Sequence, residues 1–249
     1  MSPVPRSNSN WWQQPGERDF ARDTEPGPAT ASPATGDTFL VVTEGTVTEP
    51  VYFELLLGRR EFSRVRVRVE PGRRSDPLHV VRAARKLADE HEERAKRREL
   101  GNNDPQGFDQ VWAVIDTDAA VQRELWPDVE QLAQSLRVQL ASSTPCFEFW
   151  LLLHIDGYTT RTDLLNGDLA KRAVKKALKR DYSTNKETAR KVLPEFIAKW
   201  VEAVGHAQRV RRHHLDAQTP RPPNPSTDMD RLLQAVNDSL PKQLRKLQS

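Results

Sequence analysis

The chain has 249 residues, of which 29% are charged and 37% hydrophobic, enough to bury a sizeable core in one or two soluble globular domains, and its formal net charge of +3 names no partner. The single cysteine, Cys146, excludes an internal disulfide framework and fits a reducing cytoplasm. No apolar run approaches the roughly 18 to 20 residues of a membrane span, and the N-terminus carries no apolar core of a secretory signal.

Residues 1–37 read as a disordered tail. The first 36 contain six prolines and few β-branched apolar residues, too little to offset the entropy of ordering. Trp11 and Trp12 are either a docking pair or an incidental one. Order is expected from Thr38, with a buried strand over 39–42 that ends at Glu44-Gly45. Thr48 then suits a helix N-cap and Pro50 the first turn of a helix that stops near Gly58. The alternating Arg-Val run of 64–70 predicts a strand with one wet face near the sheet margin. Asp76 as cap and Pro77 at the first helical position open a long helix, apolar at Val80, Val81, Ala84, Leu87 and Ala88 and mixed-charge beyond Asp89.

Residues 110–115 form the next buried strand, followed at once by Asp116 and Asp118. Two carboxylates at the carboxyl end of an interior strand stand where open α/β sheets bind ligands. They could hold a hard cation such as Mg²⁺, although loops also carry Asp for turn and capping reasons. A helix from Trp126-Pro127, a short strand over 137–140 and an almost wholly apolar helix over 147–154 complete the pattern. Glu148, in the first turn of that last helix, is costly to bury without a partner. Strand and helix alternate four times, so a mainly parallel sheet with right-handed crossovers is expected. The flavodoxin-like spatial order 2-1-3-4 would place Glu44 beside Asp116 and Asp118, three acids around one ion.

Thr43-Glu44-Gly45 with Thr48-Glu49-Pro50-x-Tyr52-Phe53, then Asp116-x-Asp118, resembles the Toprim catalytic core of topoisomerases, primases and OLD-type nucleases. With the block from Pro145 to His154 and Asn224-Pro225-Ser226-Thr227, the chain more closely resembles the RloB family of Toprim-like proteins. The resemblance spans 39 to about 240. It implies a Toprim-like, Rossmann-like α/β core over 38–156 on a four-stranded, mainly parallel sheet, with a helical C-terminal region over 157–240 and a tail over 241–249. It also implies a metal-dependent nuclease of bacterial restriction or anti-phage genes, often accompanied by an AAA or ABC-type ATPase. Glu44 would be metal ligand or general base, Asp116 and Asp118 would hold Mg²⁺ or Mn²⁺, and Glu49 and Glu148 would be further catalytic acids, with His154 near them. The family's basic-Tyr-x-Lys element is matched loosely by Tyr182 and Lys186.

Between 168 and 215 there are thirteen Lys or Arg against five Asp or Glu. Asp168 is expected to cap a helix with Lys171, Lys175, Lys176, Lys179 and Arg180 on one face; with Lys186 these are candidate phosphate contacts or an ordinary solvated surface. A second helix is expected over 194–215, and a cap at Ser226 or Thr227 opens a final one.

The leading reading is a Mg²⁺-dependent phosphodiester hydrolase acting on DNA or RNA in the cytoplasm. The alternative is a non-catalytic sensor of nucleic acid or nucleotide that partners an ATPase. A phosphotransferase of the haloacid dehalogenase type is disfavoured, because its Asp-x-Asp pair follows the first strand and is followed by Thr or Val where Ala120 stands here. The sequence leaves a homo-oligomer open.

Overall fold

The computed structural model describes residues 36–72, 76–101, 104–155, 163–179 and 185–247. The expected disordered tail up to residue 35, with Trp11 and Trp12, lies outside the described residues, as do Arg180 and Tyr182. Four strands are parallel: β1 (Thr38–Thr43), β2 (Arg66–Pro71), β3 (Gln110–Asp116) and β4 (Gln139–Thr144). A two-residue β5 (Ser226–Thr227) pairs antiparallel with β4, and the order across the sheet is β2-β1-β3-β4-β5. The mixed α/β architecture and the 2-1-3-4 core agree with the sequence reading. The fifth strand does not, since two residues are too short to show a period and Ser226-Thr227 reads equally well as a cap.

Alternation along the strands splits the apolar side chains between two layers. Phe39, Val41, Trp112 and Val114 face one core, with α1 (Thr48–Leu57), α5 (Phe147–Ile155), α7 (Lys186–Ile197), α8 (Trp200–Asp216) and α9 (Met229–Asp238). Leu40, Val42, Val111, Ala113 and Ile115 face the other, with α2 (Pro77–Lys96) and α4 (Trp126–Ser135). Each fully buried side chain of this size contributes about 1.5–3 kcal/mol. Helix α5 is apolar on every side because it lies between β4 and a second shell of helices, α7, α8 and α6 (Gly167–Leu178). No helix among the described residues is long and apolar enough to cross a membrane.

Several local expectations hold and others give way to stronger signals. Asp76 caps α2 as predicted, its Oδ1 accepting from the amide of His79 at 3.0 Å, with Pro77 in the first turn. Thr48 is the first residue of α1 and not its cap, which is Val47 with no side-chain bond. Asn166, not Asp168, caps α6, accepting from the amide of Leu169 at 3.1 Å. The single helix expected over 194–215 is two helices: Asn185 accepts the amide of Thr188 at 2.8 Å and starts α7 eight residues before Pro194, which sits inside it. Strand β4 starts two residues later than expected and ends four residues later, and a short α3 (Asp118–Gln122) follows β3 directly.

Two polar pairs tie helices together within the first of these layers. Arg211 of α8 bonds both oxygens of Asp230 in α9, one at 2.7 Å; burial raises the Asp230 carboxyl while the guanidinium pulls it back down. In the core of α5, His154 Nδ1 faces the Trp150 carbonyl at 2.9 Å and Nε2 faces the Tyr52 hydroxyl at 3.1 Å. The carbonyl accepts only, so Nδ1 carries the proton and Nε2 accepts from Tyr52. Burial lowers the His154 pKa from 6.5 to about 3 and pushes the Tyr52 hydroxyl up. His154 therefore belongs to the core.

The buried imidazole makes stability depend on pH. Its folded pKa lies below its unfolded one, so its contribution is present above pH 6.5 and lost as pH falls toward 3. The total is at most about 5 kcal/mol, or about 1.4 kcal/mol per pH unit inside the window. Urea unfolding between about pH 7 and pH 5 should show this loss in the wild type and a flatter dependence in His154→Gln. Equal slopes would refute the assignment.

Candidate functional site

The parallel register brings the tips of β1 and β3 together, because Thr43 pairs with Val114 and the amide of Glu44 continues the ladder onto the Val114 carbonyl at 2.8 Å. The side chain of Glu44 then reaches across, and its Oε2 accepts from the amide of Asp116 at 3.1 Å. Asp116 in turn is held by the next element, its Oδ1 accepting from the amide of Phe147 in the first turn of α5 at 2.8 Å. The loop after β1 folds back over the start of α1, where the amide of Gly45 donates to Glu49 Oε1 at 3.2 Å. A β-carbon at position 45 would run into that carboxylate, so any larger residue here would displace the Glu49 side chain from its present place.

Around this contact is an open cleft of about 240 Å³, lined by Gly45, Thr48, Glu49, Asp116, Glu148 and Lys171 among others. Glu49 and Glu148 are only 7% and 4% exposed. Burial, and then the charges of Glu49, Glu44 and Glu148, push the Asp116 carboxyl well above the carboxylate range. Glu49 is pushed from 4.5 up to about 7, first by burial and then by Glu148 and Glu44. Burial also raises Glu44, against the stabilising amide of Asp116. Burial, and then the charges of Glu148 and Asp116, push the Cys146 thiol up as well. Thr48 Oγ1 is buried in the cleft wall with no hydrogen-bond partner among the described residues.

Four acids thus converge: Glu44, Glu49, Asp116 and Glu148. Asp118 is not among the residues that line the cleft. It opens α3, donates its amide to the Pro145 carbonyl at 3.2 Å, and its Oδ2 accepts from the amide of Gly167 in α6 at 3.3 Å. One turn further along α6, Lys171 lines the acid cleft. The neighbouring Lys175, Lys176 and Lys179, and Lys186 on α7, are exposed but do not line it. Sequence reasoning missed the two backbone amides, of Phe147 and Gly167, that orient Asp116 and Asp118, and no residue type signals such a donor in advance.

Carboxylate oxygens suit a hard divalent cation, and acids whose protons are held this tightly are crowded with negative charge that such an ion would relieve. The orphaned Thr48 hydroxyl is a further oxygen in the same wall. Among the described residues, however, no group of three or more His, Cys, Asp or Glu side chains is arranged as a ready-made metal cage.

No curated protein and no solved structure matches the chain. A family model does, that of RloB-like proteins, over residues 39–236, from β1 into α9; the chain belongs to the RloB-like protein family.

Proposed function

We propose that the chain is a Mg²⁺-dependent (or Mn²⁺-dependent) Toprim-like nuclease that hydrolyses phosphodiester bonds of DNA or RNA in the cytoplasm, within a bacterial anti-phage or restriction-linked system. The observation that supports it is the meeting of Glu44, Glu49, Asp116 and Glu148 at the carboxyl edge of the sheet with Lys171 on the same cleft. Mg²⁺ takes one or two carboxylates and keeps several waters, so Asp116 with Glu44 would hold it without a finished cage. When bound, the ion supplies charge neutralisation at the phosphate and a more acidic water. Glu49, with its pKa near neutrality, is suited to take a proton at working pH. Lys171 faces the phosphate oxygens. Asp118 acts through Gly167 as a positioning residue for α6 and so for Lys171.

Lys175, Lys176, Lys179 and Lys186 extend the basic surface along which the nucleic-acid backbone would run, with the salt dependence that counterion release imposes, and Arg180, which follows Lys179 in sequence, belongs to the same proposal. An AAA or ABC-type ATPase partner and self-association belong to the same proposal. A second reading, a non-catalytic sensor partnering such an ATPase, draws on the lack of a ready-made metal cage among the described residues.

Purified protein incubated with plasmid, single-stranded DNA and tRNA should cleave at least one of them in Mg²⁺ or Mn²⁺ and none in EDTA. Asp116→Ala and Glu44→Gln should lower the rate about a hundredfold or more while leaving binding largely intact. Binding without turnover in the wild type under every metal condition favours the sensor.

The carboxylates give a pH prediction. Glu49 is raised from 4.5 to about 7, so its contribution to stability is full below pH 4.5 and lost as pH rises through 7. A divalent cation competes with that proton and offsets the loss. The rise in melting temperature given by Mg²⁺ over EDTA should therefore be larger at about pH 8 than at about pH 6, and Glu49→Gln should flatten the difference. A Mg²⁺ effect independent of pH in the wild type would count against a cation at these acids.

A further inference from the structure

A second concavity, of about 130 Å³, opens where β5 closes the sheet. Its wall includes Trp126 at the start of α4, Arg211 and His214 of α8, Arg221, Ser226 of β5 and Arg231 of α9; of these His214 is already engaged, its Nε2 donating to the Pro225 carbonyl at 2.8 Å and its Nδ1 accepting from the Thr219 hydroxyl at 3.2 Å. The carboxylate in the wall, Asp228, is already engaged by Ser142 Oγ at 2.6 Å, Arg211 at 3.5 Å and Arg231 at 3.6 Å. Arg211 is held further by Asp230. Arg221 pairs with Glu130 at 3.0 Å, but the two side chains are 65% and 39% exposed, so that pair contributes little and exchanges easily.

Trp126 is the informative residue. It is 4% exposed, and its indole N–H is buried with no acceptor among the described residues. A buried donor without a partner is costly, and one in the wall of a donor-lined cavity points to a ligand rich in acceptors. The ladder fixes where that ligand would sit. Asp116 pairs with Ser143, and Ser143 pairs with Thr227. Adjacent strands lie about 4.8 Å apart, so the Thr227 backbone stands level with Asp116 at roughly 10 Å.

We propose that this cavity is a phosphate-binding subsite that takes a backbone phosphate of a nucleic-acid strand lying across the strand tips. The choice of nucleic acid as carrier rests on the nuclease reading above; the phosphate chemistry rests on the cavity alone. Arg221 and the Trp126 N–H donate to the phosphate oxygens, with the guanidinium released from Glu130. Ser226 Oγ, which donates to the Pro223 carbonyl at 2.6 Å, keeps the loop before β5 in place around them.

The test is equilibrium binding in EDTA, so that no turnover is needed. Inorganic phosphate and a labelled single-stranded oligonucleotide are the two probes, each titrated into wild type, Arg221→Ala, Trp126→Phe and, as a control on the exposed face of α2, Arg82→Ala. We expect phosphate to bind and to compete with the oligonucleotide. Arg221→Ala should weaken both ligands about tenfold and Trp126→Phe about fivefold, with thermal unfolding unchanged and Arg82→Ala like wild type. Wild-type affinity in both cavity variants overturns the subsite, as does an equal loss in Arg82→Ala, which marks general charge attraction. Phosphate bound through Arg221 and Trp126 without oligonucleotide affinity overturns the nucleic-acid carrier. A failure of cleavage leaves these binding readouts unaffected, so it bears on the nuclease reading alone.

Discussion

The bond from the amide of Asp116 to the side chain of Glu44 joins two strands that are far apart in sequence and adjacent in the sheet. It makes the acid cluster a property of the fold. The 2-1-3 order sets the tips of β1 and β3 side by side, and the loop after β1 returns Glu49 to the same place. The first turn of α5 adds Glu148 and supplies the amide that fixes Asp116. Burial first, and then the neighbouring acids, raise the proton affinity of Asp116 and Glu49, so the cluster is an electrostatic liability that the surrounding core must support.

That core is unusual in how α5 is used. A helix apolar all round cannot be a surface helix, and here one flank meets β4 while the others meet α6, α7 and α8. The C-terminal helices therefore complete the core and do not merely append a basic surface to it. Tyr52 sits at the junction, edge-on to Phe53, Phe147, Trp150 and His154.

Much of the sheet was readable because buried parallel strands announce themselves as short β-branched runs: residues 39–42 and 110–115 were placed almost to the residue. The convergence of Glu44 and Asp116 followed from strand order alone. Glu148 stood out as an acid costly to bury in an apolar helix, but its catalytic role, like that of Glu49, came only from family likeness, since an acid in a first helical turn is equally well explained by the dipole. Caps were misread where two candidates compete, as with Asn166 and Asp168, because side-chain geometry decides between them. Lys171 could not be told from Lys175 or Lys176 by spacing. What singles it out is the tether of Gly167 to Asp118, a contact across 49 positions that no local pattern encodes.

The two outer strands also bear on self-association. On one margin, β2 carries Arg66 and Arg68, the latter paired with Glu70, so a second chain adding there would have to desolvate fixed charge. On the other, β5 is two residues long, follows a proline that has no N–H to offer, and its Thr227 carbonyl already accepts from Arg211 at 3.3 Å. Neither margin is a template for edge-to-edge β-pairing between copies. Any assembly of this chain through its described residues is thereby directed to helical surfaces, which keeps the sheet from growing into a fibre.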